Sequence, residues 1–195
     1  GTIVAEAGDI TASGAVTFGA NKSGDLKTAG EITTTDDNVT FTNAVTQSGD
    51  VAIDTGGTSA GNILFKSTVA TADKNLTLDA GAAGNITADK SITGGGAFTV
   101  TDGAVQQYTG AIEVASLDIQ DATTSVTLDG AVTTQTTLDI NSGGTLTQNK
   151  KVIAGTSLDY DAGGALSINE TIAATTTIDI DATGVTTIAE AGDIT

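Results

Sequence analysis

The chain has no proline, cysteine, histidine, methionine, tryptophan or arginine, and its 195 residues include only four phenylalanines and two tyrosines. The lack of proline is typical of continuous β-ladders, which use every backbone N–H. The lack of cysteine is compatible with any compartment. Val, Ile, Leu and Phe together number 44, just above the level at which disorder becomes the default. So little apolar bulk fills a globular core with difficulty, whereas a thin stacked core needs less.

The charge of the chain is strongly one-sided. It carries 24 acidic residues and seven lysines, a formal net charge of −17. This excludes binding to nucleic acid phosphates as a main role, and an anionic membrane surface is equally unfavourable. No apolar run approaches the ~18 residues of a membrane helix, and no signal peptide is recognisable. We therefore predict neither a nucleic acid partner nor membrane insertion.

A heptapeptide is repeated at the two ends of the chain. Ala-Glu-Ala-Gly-Asp-Ile-Thr occurs at Ala5–Thr11 and again at Ala189–Thr195, so the two copies are separated by nearly the whole length of the chain. This offset is too long for one structural repeat, so a shorter period must divide it. We interpret the chain as one period of a longer array whose end reproduces its beginning.

The second half of the chain contains that shorter period. Leu138–Asn141 recurs as Leu158–Asp161 and as Ile178–Asp181, and the series extends upstream in similar steps to Leu76. A period of about 20 residues implies a stacked architecture. Nine such steps reproduce the offset between the heptapeptides, so we expect the two copies to lie nine whole units apart. A disordered chain has no need to keep such a register.

Apolar and polar residues alternate within each unit, as in a half-buried β-strand. Leu138 and Ile140 face one way, and Asp139 and Asn141 the other. Two further short strands per unit are marked by Leu146, Leu166 and Val185 and by Val152–Ile153, Ile172 and Ile194. The sequence therefore predicts an all-β fold, a three-sided parallel β-solenoid of about nine coils spaced by ~4.8 Å.

We interpret residues 1–195 as a single solenoid with two degrees of regularity. Residues 76–195 keep the regular period. Residues 1–75 are less regular, because their strand-like runs begin at uneven spacings, at Val16, Val39, Val51 and Ile63. We expect longer corner loops in this first part and no second fold.

The repeats resemble those of filamentous-haemagglutinin-type bacterial adhesins and of giant secreted repeat exoproteins. Asn75–Gly81, Gly143–Thr147 and Leu158–Ser167 carry this resemblance, which is one of composition and period over nearly the whole chain. It implies a right-handed β-helical shaft that is secreted and displayed at the cell surface, so we expect an extracellular location. The sequence has no recognisable counterpart of that family's secretion domain or of a receptor-binding module.

Catalysis is not expected. Some parallel β-helices are polysaccharide lyases or glycosidases, and a lyase needs a base together with a cation that stabilises the developing enolate. Without Arg or His the base would be a lysine, and no lysine recurs beside an Asp cluster: Lys22, Lys27, Lys66, Lys74, Lys90, Lys150 and Lys151. Carboxylate pairs suited to a glycosidase arise on any acidic solenoid face by stacking alone. We predict that the chain is not an enzyme.

Four aspartates are predicted to share one outward slot of consecutive coils: Asp118, Asp139, Asp159 and Asp179. The next outward slot contains Gln120, Asn141, Asp161 and Asp181. Like charges stacked at ~4.8 Å repel each other. The repulsion identifies these positions as candidates for an interaction with cations.

Three interpretations of these aspartates remain open. They are solvated surface residues that limit lateral aggregation, or they meet lysines of a neighbouring shaft, with Lys150 and Lys151 as the paired candidate. In the third, Ca²⁺ relieves the repulsion, because it accepts several carboxylate oxygens. The calcium ligands would then be Asp118, Asp139, Asp159, Asp161, Asp179 and Asp181.

Threonine pairs of the type that bind ice on flat β-solenoids also occur, at Thr40/Thr42, Thr99/Thr101 and Thr145/Thr147. We expect them not to align, because the coils that flank Thr99 present Thr77 and Asp118 in the same slot. We interpret the threonines as β-branched residues suited to exposed strands.

The ends of the chain point to assembly. An open solenoid end presents unpaired backbone groups and a bare apolar cross-section, which capping units normally cover. The predicted assembly residues are those that the heptapeptides share: Ala5, Glu6, Gly8, Asp9, Ile10, Ala189, Glu190, Gly192, Asp193 and Ile194. We expect head-to-tail continuation into an acidic extracellular fibre, and the shared heptapeptide favours a covalent tandem array over stacked subunits. The alternative is a passive stalk that presents a distal domain.

Overall fold

The computed structural model describes residues 8–19, 24–57, 59, 61–189 and 192–195. Within these residues the structure is all-β, with 24 short strands and no helix. Neighbouring strands are parallel and wind through about nine turns, which confirms the predicted β-solenoid. The chain passes three faces in each turn, which we number 1 to 3 in that order.

Face 1 carries the longer strands. It contains the second halves of β3 (Leu26–Thr34) and β5 (Val45–Asp54), in addition to seven complete strands. These are β1 (Ile10–Ala12), β8 (Leu76–Asp79), β11 (Ala97–Asp102), β14 (Ser116–Ala122), β17 (Leu138–Ser142), β20 (Ser157–Ala162) and β23 (Thr177–Ala182).

Face 2 is a separate nine-stranded sheet. Its strands are β2 (Val16–Phe18), β4 (Val39–Phe41), β6 (Ile63–Phe65), β9 (Ile86–Ala88), β12 (Val105–Tyr108), β15 (Ser125–Leu128), β18 (Thr145–Gln148), β21 (Leu166–Ile168) and β24 (Thr186–Ile188).

Face 3 has the shortest strands. It begins with the first halves of β3 and β5 and ends with an isolated bridge from Ile172 to Ile194. Between them lie β7 (Val69–Ala70), β10 (Ile92–Thr93), β13 (Ile112–Val114), β16 (Val132–Thr134), β19 (Val152–Ala154) and β22 (Ile172–Ala174).

Faces 3 and 1 belong to one sheet because β3 and β5 each turn the corner between them without a break. In β3 the pairing with β5 shifts register between Thr28 and Gly30. Gly30 has a φ of 86°, which residues with a Cβ rarely adopt. The glycine therefore lets one strand serve two faces.

Alternation along each strand builds one thin apolar column. On β14, Leu117 and Ile119 are completely buried, whereas Asp118 between them is half-buried and Gln120 is exposed. The inward residues of all three faces join a single core cluster. Each fully buried aliphatic side chain stabilises the fold by roughly 1.5–3 kcal/mol, so a narrow column suffices when every coil contributes.

Phe18, Phe41 and Phe65 form an aromatic stack inside the column, one ring per coil. Consecutive ring centroids are 4.8 Å apart, and the ring planes differ by 11° and 10°. The spacing agrees with that of hydrogen-bonded strands. The stack shows that the winding places like residues directly above one another.

Three buried glutamines tie successive coils together. The Nε2 atom of each donates a hydrogen bond to a backbone carbonyl oxygen of the following coil. Gln47 donates to Asn75 at 2.9 Å, Gln106 to Asp121 at 3.0 Å and Gln148 to Glu170 at 2.9 Å. A buried carbonyl without a partner costs free energy, so these bonds stabilise the corners.

The coils differ in length, chiefly at their corners. Equivalent inward residues of successive coils on face 1 are unevenly spaced in the sequence: Ile10, Ile32, Ile53, Leu78, Val100, Ile119, Ile140, Tyr160 and Ile180. The longest step, from Ile53 to Leu78, includes the connection between the end of β5 at Asp54 and the start of β6 at Ile63. Corners therefore absorb insertions while the strands keep their registers.

Candidate functional site

The four aspartates at the predicted outward slot do form one row on face 1. Asp118 lies opposite Asp139, Asp139 opposite Asp159, and Asp159 opposite Asp179. We call these four residues the acidic row. They lie on β14, β17, β20 and β23, whose inward neighbours belong to or pack against the core, so the core fixes the outward direction of the carboxylates.

The residues predicted for the second outward position are only partly aligned. Asn141 lies opposite Asp161, and Asp161 opposite Asp181. Gln120 leaves this register, because the pairing of β14 with β17 shifts between Ile119 and Ala122. Its side chain instead donates a hydrogen bond to Oδ2 of Asp118 at 3.0 Å. A β-bulge, which re-aims side chains in this way, is not visible in the repeat pattern.

Repulsion within the acidic row affects its two central members. Burial raises the pKa of Asp139, and the carboxylates of Asp159, Asp118 and Asp161 raise it further. Burial likewise raises the pKa of Asp159, with contributions from Asp161, Asp179 and Asp181. The charged form is penalised in both cases, as expected for like charges in neighbouring coils.

The carboxylates do not converge on one point. Among the residues that the structure describes, no group of three or more Asp, Glu, His or Cys side chains is placed to hold a metal ion. The acidic row is spread along the solenoid axis, whereas Ca²⁺ needs six to eight oxygen ligands at about 2.3–2.6 Å. The calcium hypothesis stays a prediction and has no preformed ligand set in this part of the chain.

A second outward row, at the corner between faces 2 and 3, is built from amides. Asn149 Nδ2 donates to Asp129 Oδ1 at 2.7 Å, and Asn169 Nδ2 donates to Asn149 Oδ1 at 2.7 Å. We call Asp129, Asn149 and Asn169 the amide ladder. An amide is both donor and acceptor, so stacked copies satisfy one another where stacked carboxylates repel.

Asparagines also connect coils at the entry to face 2. Asn38 Oδ1 accepts hydrogen bonds from the backbone N and from Nδ2 of Asn62, at 2.8 and 2.9 Å. Asn62 Oδ1 accepts from the backbone N of Asn85 at 2.8 Å. Sequence reasoning missed both sets of asparagines. Their recurrence in consecutive coils, at Asn38, Asn62 and Asn85 and again at Asn149 and Asn169, was the signal that could have revealed them.

Face 2 carries an uncharged outward row that sequence reasoning also missed. It contains Thr17, Thr40, Leu64, Thr87, Gln107, Thr127, Thr147, Ser167 and Thr187, each opposite the next. We call it the threonine row. Thr99 lies on face 1 between Thr77 and Asp118, as predicted, so the threonine pairs do not form a common lattice.

The predicted assembly residues are brought to different places. Ala5, Glu6 and Glu190 lie outside the described residues. Ile10 pairs with Ile32 on face 1, and Asp9 Oδ1 accepts a hydrogen bond from the backbone N of Glu31 at 2.9 Å. At the other end Ile194 bridges to Ile172 on face 3, while Ala189 and Gly192 form the preceding turn with a 2.8 Å hydrogen bond.

The prediction that the heptapeptides lie nine whole coils apart is therefore wrong. From Ile10 to Ile180 the chain makes eight turns on face 1, and Ile194 follows two faces later, on face 3. The average period accounts for the number of residues between the two heptapeptides. The unequal corners of the first half, however, change the face on which the second copy lies. Among the described residues, Ile10 and Ile194 each pair with one neighbouring coil, toward the interior of the solenoid.

The last coil leaves an apolar cross-section open to solvent. Ile188 is 47% exposed, whereas Ile168 in the same slot of the preceding coil is 0% exposed. Ile194 is 46% exposed, and its partner Ile172 is 0% exposed. Val185, predicted to mark an inward strand position, is 73% exposed, because Thr186 takes the slot opposite Leu166.

Comparison with known proteins gives no relative for this chain: nothing matches among protein-family models, curated proteins or solved structures. Within the described residues, no helix has the length and apolar character needed to cross a membrane.

Proposed function

We propose that this chain is a structural repeat or subunit of an extracellular bacterial fibre, extended end to end by continuation of the β-solenoid. The observation that carries the proposal is the open last coil, where slots that are covered in the preceding coil meet solvent at Ile188 and Ile194. Burial of each such side chain is worth roughly 1.5–3 kcal/mol. A further coil is the natural occupant, because it would extend each row by one residue.

The backbone supports the same proposal. Among the strands that the structure describes, β23 and β24 pair only with β20 and β21, so their outer edges present N–H and C=O groups without a strand partner. Exposed edges of this kind template further strands. When the two joining surfaces differ, as the two ends of a solenoid do, the contact does not close on itself and propagates as a filament.

The outer faces bear on how such fibres would meet side by side. The acidic row and the net charge of −17 oppose contact between two copies of face 1. Lys150 and Lys151 are exposed at the corner between faces 2 and 3. Lateral bundling, if it accompanies the fibre, would join this corner of one shaft to face 1 of another.

Electron cryo-microscopy of the purified chain tests the proposal. Nine coils at ~4.8 Å predict an axial repeat of about 43 Å together with a meridional reflection at the coil spacing. Short isolated rods would support the alternative function, a passive stalk that presents a distal domain. Absence of the reflection at the coil spacing would contradict the proposal.

A matched pair of variants separates end stacking from surface effects. Ile188→Lys places a charge within the exposed cross-section, and Thr187→Lys places the same charge on the outward face of the same strand. We expect Ile188→Lys to abolish filaments while circular dichroism shows an unchanged fold, because a buried unpaired charge is costly. Thr187→Lys should leave filament length unchanged. Equal losses in both variants would argue against end stacking.

A further inference from the structure

We infer that the next copy joins by placing its strand Ile10–Ala12 on β23 (Thr177–Ala182) of face 1, so that the two heptapeptides occupy consecutive faces and neither replaces the other. This register rests on the proposed function, since it applies only if copies stack end to end. It differs from the covalent overlap that the shared heptapeptide favours, in which one copy of the heptapeptide serves both repeats.

The winding order carries the inference. The chain passes faces 1, 2 and 3 in turn, and its last pairing, that of Ile194 with Ile172, lies on face 3. The next position along the coil is therefore on face 1. The first described strand, Ile10–Ala12, belongs to face 1, so a second copy continues the winding without a rotation.

Three core positions match across this junction, whereas Val16 would lie opposite the polar Thr186. When the strand registers observed within the chain are continued by one coil, Ile10 of the incoming copy lies opposite Ile180, and Phe18 lies opposite Ile188. Leu26, the first residue of face 3, would lie on Ile194. Each of these three contacts is apolar on apolar, and together they cover Ile188 and Ile194, which the last coil leaves exposed.

The outer rows would also continue across the junction. Thr17 would continue the threonine row beyond Thr187, whereas Asp9 would place a further carboxylate opposite Asp179, a repulsion of the kind already present within the acidic row. The uncharged face of one copy therefore meets the uncharged face of the next. The junction would reproduce the stacking that holds every coil inside the chain.

The competing arrangement is an exchange in which the incoming heptapeptide displaces Ala189–Thr195. Ile10 would then pair with Ile172, and β2 would move from face 2 onto β23, with Thr17 opposite Asp179, since both lie seven residues after the paired isoleucines. This exchange breaks contacts the chain already makes, namely Ile172 N to Asp193 O at 2.8 Å, Ala174 N to Thr195 O at 3.2 Å and Thr195 N to Ile172 O at 3.1 Å. Contacts within one chain form without the entropic cost of association.

Cysteine cross-linking distinguishes the two arrangements, because the native chain has no cysteine. Thr17 and Thr187 are exposed, and in the inferred register their Cα atoms would lie ~4.8 Å apart, within the range a disulfide spans. Chains carrying Thr17→Cys are mixed with chains carrying Thr187→Cys and then oxidised. We expect a cross-linked heterodimer that is lost when either chain is left out.

The matched control replaces Thr187→Cys by Asp179→Cys, because Asp179 lies opposite Thr17 only in the exchanged arrangement and opposite Asp9 in the inferred one. Cross-linking of that pair in place of the first, or filaments in which neither pair cross-links, would overturn the inferred register and leave the fibre proposal intact. An absence of both filaments and cross-links would overturn the fibre proposal and, with it, the register.

Discussion

The inner phenylalanine stack and the outer acidic row are products of the same winding, yet they have opposite energetic consequences. Phe18, Phe41 and Phe65 lie one above another at 4.8 Å, where contact between rings and exclusion of water are both favourable. Asp139 and Asp159 are neighbours in the same way, and their mutual repulsion contributes to the raised pKa of Asp139. Stacking like on like thus stabilises an apolar row and destabilises a charged one.

The amide ladder lies between these extremes. It is an outward polar row like the acidic one, but each amide donates to its neighbour at 2.7 Å. The comparison indicates that the chemistry of a residue, rather than its slot, decides whether the repetition helps. Substitutions that move a residue from one class to another test this directly.

The largest effect is expected from Phe41→Ala, in the middle of the aromatic stack. Phe41 is 1% exposed and contacts a ring on each side, so its truncation should lower the free energy of unfolding by about 3–5 kcal/mol. Urea denaturation measures this. Phe18→Ala is the control, because Phe18 is 9% exposed and has a ring on one side only. A loss for Phe18→Ala as large as that for Phe41→Ala would contradict the role of stacking.

A smaller loss is expected when the amide ladder is converted into a charged row. Asn149→Asp removes the hydrogen bond from Asn149 Nδ2 to Asp129 and places two carboxylates side by side. We expect a destabilisation of about 1–2 kcal/mol at pH 7. Asp129→Asn is the control, since it keeps donors and acceptors in the ladder and removes the charge. Equal stability of Asn149→Asp and the parent chain would show that the ladder contributes nothing.

Removal of one charge from the acidic row should raise the free energy of unfolding, and by less than the preceding substitutions lower it. Asp159→Asn is expected to stabilise the fold by about 0.2–1 kcal/mol at pH 7, because it removes one charge from between two others. Asp89→Asn is the control. Asp89 lies at a corner, and the equivalent position of the preceding coil is occupied by Lys66, so this substitution removes a charge that does not belong to a row of carboxylates.

The stabilisation by Asp159→Asn should also depend on pH. The folded-state pKa of Asp159 lies above its unfolded value of 3.8, so its carboxyl group is more readily protonated in the folded chain. The stability that protonation of Asp159 contributes to the folded chain is fully present below the unfolded pKa, and it is lost as the pH rises through the folded pKa. The advantage of the variant should therefore vanish at low pH. Denaturation curves that keep the same difference at pH 3 and pH 7 would contradict the repulsion.

The smallest effect is expected from chelation. If Ca²⁺ relieves the repulsion within the acidic row, the melting temperature should be higher with calcium than with EDTA. Thermal melting in a constant background of salt measures this, so that screening of the acidic row is equal in both samples. Equal melting temperatures in the two samples would contradict calcium binding by the acidic row.

Much of the fold was predictable because a repeat constrains itself. The alternation at Leu138–Asn141 and its return in each following unit predicted parallel strands in register, and the pairing of Asp139 with Asp159 followed from the same count. Each coil repeats the constraint, so an error in one unit would have conflicted with the others.

The sequence by itself thus determined the period, the strands and the stacking of like residues. The tertiary structure alone decided where particular residues lie within the repeat. Examples are the displacement of Gln120 by a bulge, the exposure of Val185, and the placement of Ile10 and Ile194 on different faces. The physical reason lies in the corners. The connection between β5 and β6 and the other corners accept extra residues at little cost. The length of each coil, and hence the face on which a given residue lies, is therefore set by how the backbone closes each turn.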